Sequence, residues 1–525
     1  MGLGSVRWVL VAYAAANAVL YSALLPLWEG FDEPFHFGYV QQLANGRGLV
    51  DLPEARLSNE VSDSLLCAPV SSTVKVNLPG AVTYERFFSW TPQRRARQRE
   101  RENEIPHEGR WGESAIPNYE AHQAPLAYLV LAAPERLILW VALPRRVLLL
   151  RIVAALAGAA LLGTGAAALC RELELGEPYR SIVLFCLFSW QMTWATLAHV
   201  ANDWLAVPLA VWALVFTIRC AVGPTTANVI AASLLISAGL LTKAYFLALE
   251  PLVLAVCAVR GGWRGLGWHA GIVAVCAAPW YIRNQVLYGT LSGMQEARLG
   301  FGPGMVLGAV PHLWWPKIAL DSSRFALWMG NNTFRPLSTK ITGAVILTLA
   351  AGQLLWAVGR HKTAERVAAA YCGSWLLALA YAAALAHVAT YGASSTPSPW
   401  YAQVLTAPLL ALALLGAARR GRFVAAGLAL LLGLVAVVTY VFRLIPIYGG
   451  MDGRGSVGMV ANLYGARFGE LVEKLGAAAL GPVWLILGLT ATVLVLAAFL
   501  EWQLIRQTLR ASPSAPTLRR GPASL

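Results

Sequence analysis

Charge is what this chain has least of. Only 13% of its 525 residues are Asp, Glu, Lys or Arg, 57% are hydrophobic, and the mean hydropathy is +0.57. A soluble globular protein carries about a quarter charged residues, so this shortage implies a polytopic membrane protein. Acids are scarcer than bases, 27 Asp and Glu against 41 Lys and Arg, for a net charge of +14. Arginines spread along many spans mostly set orientation, so no nucleic-acid partner is expected. Of the seven cysteines, six (Cys170, Cys186, Cys220, Cys257, Cys276, Cys372) lie in or beside apolar runs, and Cys67 sits in a long loop with no neighbour to pair with. That signals neither a disulfide framework nor a zinc site. No small-residue cleavage site follows the first apolar run, residues 8–27, and only Arg7 precedes it, so it reads as an uncleaved anchor.

Lysine and arginine are also missing from two short turns, 199–203 and 392–399. That absence orients the rest. The segment 122–143 is long enough to span but is broken by Pro134-Glu135-Arg136, and a charge pair is costly in mid-membrane. If it lies flat on the outer face, the later apolar runs fall at 148–170, 182–197, 205–218, 229–241, 246–258, 266–282, 341–358, 368–389, 401–415, 423–442 and 481–500. The short inner connections then hold Arg171, Arg180, Arg219, Arg260, Arg264, Arg360, Lys362, Arg366, Arg419, Arg420 and Arg422. The tail (Arg506, Arg510, Arg519, Arg520) is inside as well. Counting 122–143 as a span reverses every later loop. The expected fold is therefore an all-α polytopic membrane protein, a bundle of about 12 transmembrane helices with both termini inside. Its divisions are the anchor 1–27, a long first outer loop 28–146 bearing interfacial helices, spans within 147–282, and an outer loop or lid 283–340. Further spans lie within 341–442, followed by an outer loop 443–480, a last span 481–500 and an inner tail 501–525.

The stretch just after the anchor, Trp28-Glu29-Gly30-Phe31-Asp32-Glu33-Pro34-Phe35-His36-Phe37-Gly38-Tyr39, sets two carboxylates before a proline. Asp32 or Glu33 can cap a helix that Pro34 starts, with an apolar face of Phe35, Tyr39, Val40 and Leu43 and a stop at Asn45-Gly46. A plain capped surface helix fits the same letters. The charged run from Arg94 to Glu104 suits either anionic head groups or a solvated helix.

In this layout the acids share one membrane surface with Asn118-Tyr119-Glu120-Ala121-His122-Gln123, Asn202-Asp203, Leu241-Thr242-Lys243 and Tyr281-Ile282-Arg283-Asn284. A carboxylate near cations at the lipid boundary suits group transfer from a lipid phosphate, the cations holding the phosphate and the acid taking a proton from an acceptor hydroxyl. The motifs Phe31-Asp32-Glu33-Pro34-Phe35-His36-Phe37, His122-Gln123-Ala124-Pro125-Leu126-Ala127-Tyr128, Asn202-Asp203, Leu241-Thr242-Lys243 and Arg283-Asn284-Gln285-Val286-Leu287-Tyr288-Gly289 occur in the order seen in GT-C membrane glycosyltransferases. The chain most resembles the bacterial branch similar to dolichyl-phosphate-mannose–protein mannosyltransferases and to aminoarabinose transferases, over roughly its first 300 residues. The resemblance implies a GT-C-like bundle and an inverting transfer at the outer face of a bacterial inner membrane. The implied donor is a polyprenyl-phosphate sugar, and the acceptor is a glycan, lipid or protein of the envelope. It implies Asp32 as base with Glu33 supporting or sharing the role. His36, Glu120, His122, Gln123, Asp203, Lys243 and Arg283 become substrate-binding candidates.

The chain departs from those relatives in Ala124 for a second proline, in Glu250 within a span, and in Pro397-Ser398-Pro399-Trp400-Tyr401 for an Arg-Tyr pair. On one continuous helix Glu250 and Lys243 share a face about 10 Å apart. His36 can pair with Asp32, Lys243 can be a snorkelling lysine, and His199 and His387 read as interfacial or helix-packing residues. Trp314, Trp315 and Trp400 read as interface aromatics, Trp315 with the option of stacking on a sugar. Asn331 fits an N-glycosylation pattern that matters only in a eukaryotic lumen. No metal site is assigned; a divalent cation stays open as a cofactor. Two other functions compete: a lipid-linked oligosaccharide flippase or transporter, which needs ionisable residues on broken mid-membrane helices, and a non-catalytic membrane relative.

Overall fold

A computed structural model of the chain describes residues 3–75, 80–294, 300–451 and 456–510. Asp452, Gly453 and Arg454 of the third outer segment, and Arg519 and Arg520 of the tail, lie outside the described residues. The protein is an all-α integral membrane protein; the sheets among the described residues are two small two-stranded ones, within residues 56–117. Seven helices among the described residues are long and apolar enough to cross a membrane, or eight counting the bent pair Glu250–Cys276 and Ala278–Tyr288. The other expected runs fold as shorter helices, Tyr179–Ser189, Gln191–Leu197 and Thr226–Leu240, or as the arginine-ended Gln403–Arg420. The runs 246–258 and 266–282 fall in a helix with non-helical backbone at Gly262 (φ 61°). The chain turns back there, bringing Gly265 against the Cys257 carbonyl.

Segment 122–143 forms a helix only from Leu126 to Leu137. Twelve residues rise about 18 Å, well short of the ~30 Å hydrocarbon core. Its Glu135 does not pair with the adjacent Arg136 but is wholly buried against Arg146, which also binds Glu60. The charged run becomes the Pro92–Asn103 helix. Arg95 of that helix is buried on Glu473, and Arg99 donates to the Ala479 and Leu480 carbonyls at 3.0 and 3.2 Å.

Leu143–Glu172 and Asp203–Val222 run the same way, while Leu3–Leu24 and Thr226–Leu240 run antiparallel to them. Arg219 meets Glu172 at 2.8 Å at the far end of two of them. Asp32, Asp203 and Lys243 therefore stand at one end of the bundle, and Arg7, Arg171, Arg180 and Arg219 at the other. Val483–Arg510 closes on the first helix, where the Gly481 amide donates to the Ala23 carbonyl at 2.8 Å; a Cβ on Gly481 would sit 2.5 Å from Ala23.

Candidate active site

The loop from Leu25 to Asp32 is bent against its own preferences. Trp28 (φ 63°) and Asp32 (φ 52°) both occupy the left-handed region, a conformation that costs a non-glycine residue of order 1–3 kcal/mol and persists only where its surroundings enforce it. Here Asn332 donates to the Trp28 and Gly30 carbonyls at 3.2 and 3.1 Å. Gly30 is needed because a Cβ there would meet the His199 Cβ at 2.5 Å. Proline does start the expected helix, Glu33–Ala44, but the Asp32 side chain makes no capping bond. Only its carbonyl enters the helix, accepting from the Phe35 and His36 amides. Its carboxylate is exposed between buried Phe31 and Glu33 and accepts from the Tyr119 hydroxyl at 2.7 Å.

Glu33 has the opposite fate. It is wholly buried, and Arg151 grips both carboxylate oxygens, Nε at 2.7 Å from Oε1 and Nη2 on Oε2. The Val200 amide adds a bond at 3.0 Å. Burial alone would raise the Glu33 carboxyl, but the Arg151 guanidinium outweighs it and holds the group below its usual value. Arg151 also donates to the Leu25 and Pro26 carbonyls at 3.0 and 2.9 Å, so one buried ion pair ties the strained loop to the Leu143–Glu172 helix.

The second stretch folds under Asp32. Asn118 caps the short turn Tyr119–His122 by accepting from the Glu120 amide at 3.2 Å. The Tyr119 hydroxyl reaches Asp32 while its carbonyl bonds the His122 ring, so Asp32 and His122 lie within about one tyrosine's length. His36 does not pair with Asp32. Its Nδ1 lies 2.7 Å from the Tyr128 hydroxyl and 3.5 Å from Glu120 Oε2. Burial first, then Lys243, His199 and His122, push the His36 imidazole well below its usual value and keep it neutral. Burial and the nearby Asp32 charge raise Glu120 to about 8, against the pull of Lys243. Gln123 accepts from Asn202 at 3.3 Å.

Lys243 completes the cluster. The chain leaves Thr226–Leu240 in extended form at Lys243 (φ −157°, ψ 133°) before the turn Ala244–Ala248, so Lys243 and Glu250 are not on one helix. Lys243 Nζ donates to Asp203 Oδ2 at 2.6 Å and lies 5.2 and 5.4 Å from the Tyr401 and Tyr245 rings. Glu250 instead bonds His269 at 2.9 Å, whose other nitrogen is 3.0 Å from the Ser233 hydroxyl. Buried Asp203 Oδ1 and His199 Nδ1 have no hydrogen-bond partner among the described residues. Lys243 and Tyr401 line a cavity of about 520 Å³, walled by the Thr363–Ala389 helix (Trp375, Leu379, Ala382, Leu385).

Arg283 stands apart from this cluster, paired with Asp51 at 2.5 Å and lying over the Trp280 ring at 4.9 Å. Trp400 is half-buried and stacks on Phe31 with ring centres 4.6 Å apart. Trp314 is exposed, while Trp315 packs near Val306 and Leu313 and donates to the Val310 carbonyl at 3.2 Å. His387 bonds Ser395 at 3.0 Å, and Asn331 is buried between Tyr21 and Tyr448. Sequence reasoning missed Arg151 and Asn332, and read His199 only as an interfacial or packing residue. A lone arginine inside an apolar run was the available signal for the first; His199 and Asn332 act through the fold and carried none. Among the described residues no three His, Cys, Asp or Glu side chains converge to hold a metal ion.

No family model and no curated protein matches the chain. Some solved structures are distantly similar to the chain. ArnT from Cupriavidus metallidurans bound to undecaprenyl phosphate is similar at a TM-score of 0.45 and 14% identity, over 85% of this chain and 74% of that one. The apo form of ArnT aligns at 0.41 and 16% identity, over 84% and 75%. An Archaeoglobus fulgidus oligosaccharyltransferase, in complex with Zn and sulfate, aligns at 0.39 and 15%, over 82% of this chain and 52% of its own length.

Proposed function

We propose that this protein is an inverting membrane glycosyltransferase that moves a sugar from a polyprenyl-phosphate donor to an envelope acceptor at the outer, periplasmic face of a bacterial inner membrane. The carrying observation is the position of Lys243, with its ammonium on the acid cluster and its side chain lining an apolar cavity. That is the arrangement a lipid phosphate needs, with the cation at the head and acyl-like walls for the tail. Asp32, the exposed carboxylate whose charge, with that of Lys243, acts on Glu120, is the base that takes the acceptor hydroxyl proton. Tyr119, whose phenol burial and Asp32 keep protonated, orients it through their hydrogen bond. Glu33 acts as a positioning residue through Arg151. His122, Gln123 and Asp203 frame the sugar and phosphate; protonated Glu120 lowers the negative charge that the donor meets. Arg283 is placed at the rim, outside the phosphate contact. No step is drawn through a divalent cation, since the acids do not gather into a ligand set.

The direct test is binding of undecaprenyl phosphate to the purified full-length protein in nanodiscs. Removing the charge-assisted contact with Lys243→Ala should weaken binding about 10–100-fold, and filling the cavity with Ala382→Trp should weaken it too. Wild-type affinity in both variants refutes the assignment of this cavity to the donor.

A further inference from the structure

The opposite end of the bundle carries a second cavity, of about 650 Å³. Its walls come from the helices Leu3–Leu24, Leu143–Glu172 and Tyr179–Ser189, with Leu10, Val11, Ala160 and Phe188 among the apolar groups along it. Val11 and Leu156 on its sides are 57% and 38% exposed, so the groove is open to whatever surrounds the bundle, which for an integral membrane protein is acyl chain.

Its other end is basic, with Arg7, Arg171 and Arg180 lining it. Arg180 is already satisfied, because its Nε and Nη2 donate to Glu177 Oε1 at 2.9 and 2.6 Å. Glu177's second oxygen is held by the Ser181 amide and hydroxyl at 3.2 and 2.6 Å. Glu177 and Arg180 thus cancel within the site. Arg7 and Arg171 have no hydrogen-bond or ion-pair partner among the described residues and are exposed, so two guanidinium charges remain at the head of an apolar groove.

We propose that this cavity binds one anionic phospholipid of the leaflet opposite the candidate active site. Its phosphate would be taken by Arg7 and Arg171, and an acyl chain would lie along Leu10, Val11 and Phe188. Charge complementarity selects this occupant. A zwitterionic head group brings a cation toward two arginines, and a free anion leaves the groove unfilled. Basic pockets between spans on the positively charged side are a known form of such recognition. The inference does not depend on the transferase reading, because the two cavities stand at opposite ends of the bundle.

Native mass spectrometry of the full-length protein, released from detergent micelles with equimolar dioleoylphosphatidylglycerol and dioleoylphosphatidylcholine, tests it. The wild type should retain phosphatidylglycerol over phosphatidylcholine roughly tenfold or more. Arg7→Gln with Arg171→Gln should bring the two lipids to near equality, while Arg7→Lys with Arg171→Lys keeps the preference. Ala160→Trp should reduce both lipids, and excess inorganic phosphate should displace neither. If the double glutamine variant fails to fold, each single glutamine variant should still lower the preference about threefold. Equal retention in the wild type, an unchanged preference in the glutamine variants, or displacement by inorganic phosphate would overturn the proposal.

Discussion

Consider the removal of Arg151. In Arg151→Leu the buried Glu33 carboxylate loses both guanidinium contacts, and the Leu25 and Pro26 carbonyls lose donors at 3.0 and 2.9 Å. Breaking a buried ion pair by deleting one partner costs about 3–5 kcal/mol, and the Val200 and Gly30 amides still on Glu33 offset only part of it. Glu33→Leu strands the guanidinium in the same way and should cost a similar amount. The double variant, Glu33→Leu with Arg151→Leu, leaves no uncompensated charge, and its loss should fall below the sum by about 2–4 kcal/mol. The pH dependence has a definite sign. Because the folded Glu33 carboxyl lies below its usual value, its contribution is present above that usual value and is lost as pH falls through the folded one. The wild type should therefore lose this contribution on acidification, and the double variant should not. Thermal unfolding of the four proteins in detergent at neutral and acidic pH measures both effects. Additive losses, or Arg151→Leu costing under about 1 kcal/mol, would refute the pairing as the anchor of the loop.

Gly30→Ala puts a methyl 2.5 Å from His199 Cβ and 3.1 Å from Glu33 Cδ. It should cost about 1–3 kcal/mol in thermal unfolding and lower kcat of transfer more than it changes KM, because it moves Asp32 rather than the donor contacts. Glu120 is raised to about 8 by burial and by Asp32, so it stays protonated in the folded protein over a range where the unfolded chain has released its proton. Stability should then fall as pH climbs from the ordinary carboxyl range to about 8, and Glu120→Gln should flatten that slope in unfolding midpoints measured from pH 5 to 9. Asn332→Leu frees the Trp28 and Gly30 carbonyls and should cost about 1–3 kcal/mol, with a matching fall in kcat at constant donor binding.

The helical membrane character was legible from the shortage of charge alone, whereas the expected break at Pro134-Glu135-Arg136 lies inside the helix Leu126–Leu137, which is short because it ends just after them. The sequence pattern could not say how the runs would be divided. Trp190 interrupts 182–197, and the fold-back at Gly262 depends on Gly265 lying against Cys257, a contact that no local spacing displays. Asp32, Asp203 and Lys243 were readable as polar residues at the ends of apolar helices. The roles within the site were not, because Asp32 and Glu33 are adjacent and of one chemical type. What separates them is Arg151, 118 residues further on, which buries one acid and leaves its neighbour exposed. His36 is another case: Asp32 is nearest in sequence, but Tyr128 and Glu120 hold the ring once the second stretch folds beneath it.

The most direct measurement is single-turnover transfer from a radiolabelled undecaprenyl-phosphate sugar by Asp32→Asn, alongside donor binding by the same preparation. If Asp32 is the base, the chemical step should slow by about 10²–10⁴-fold while donor affinity stays within about threefold. Transfer at the wild-type rate with Asn at this position would contradict the account.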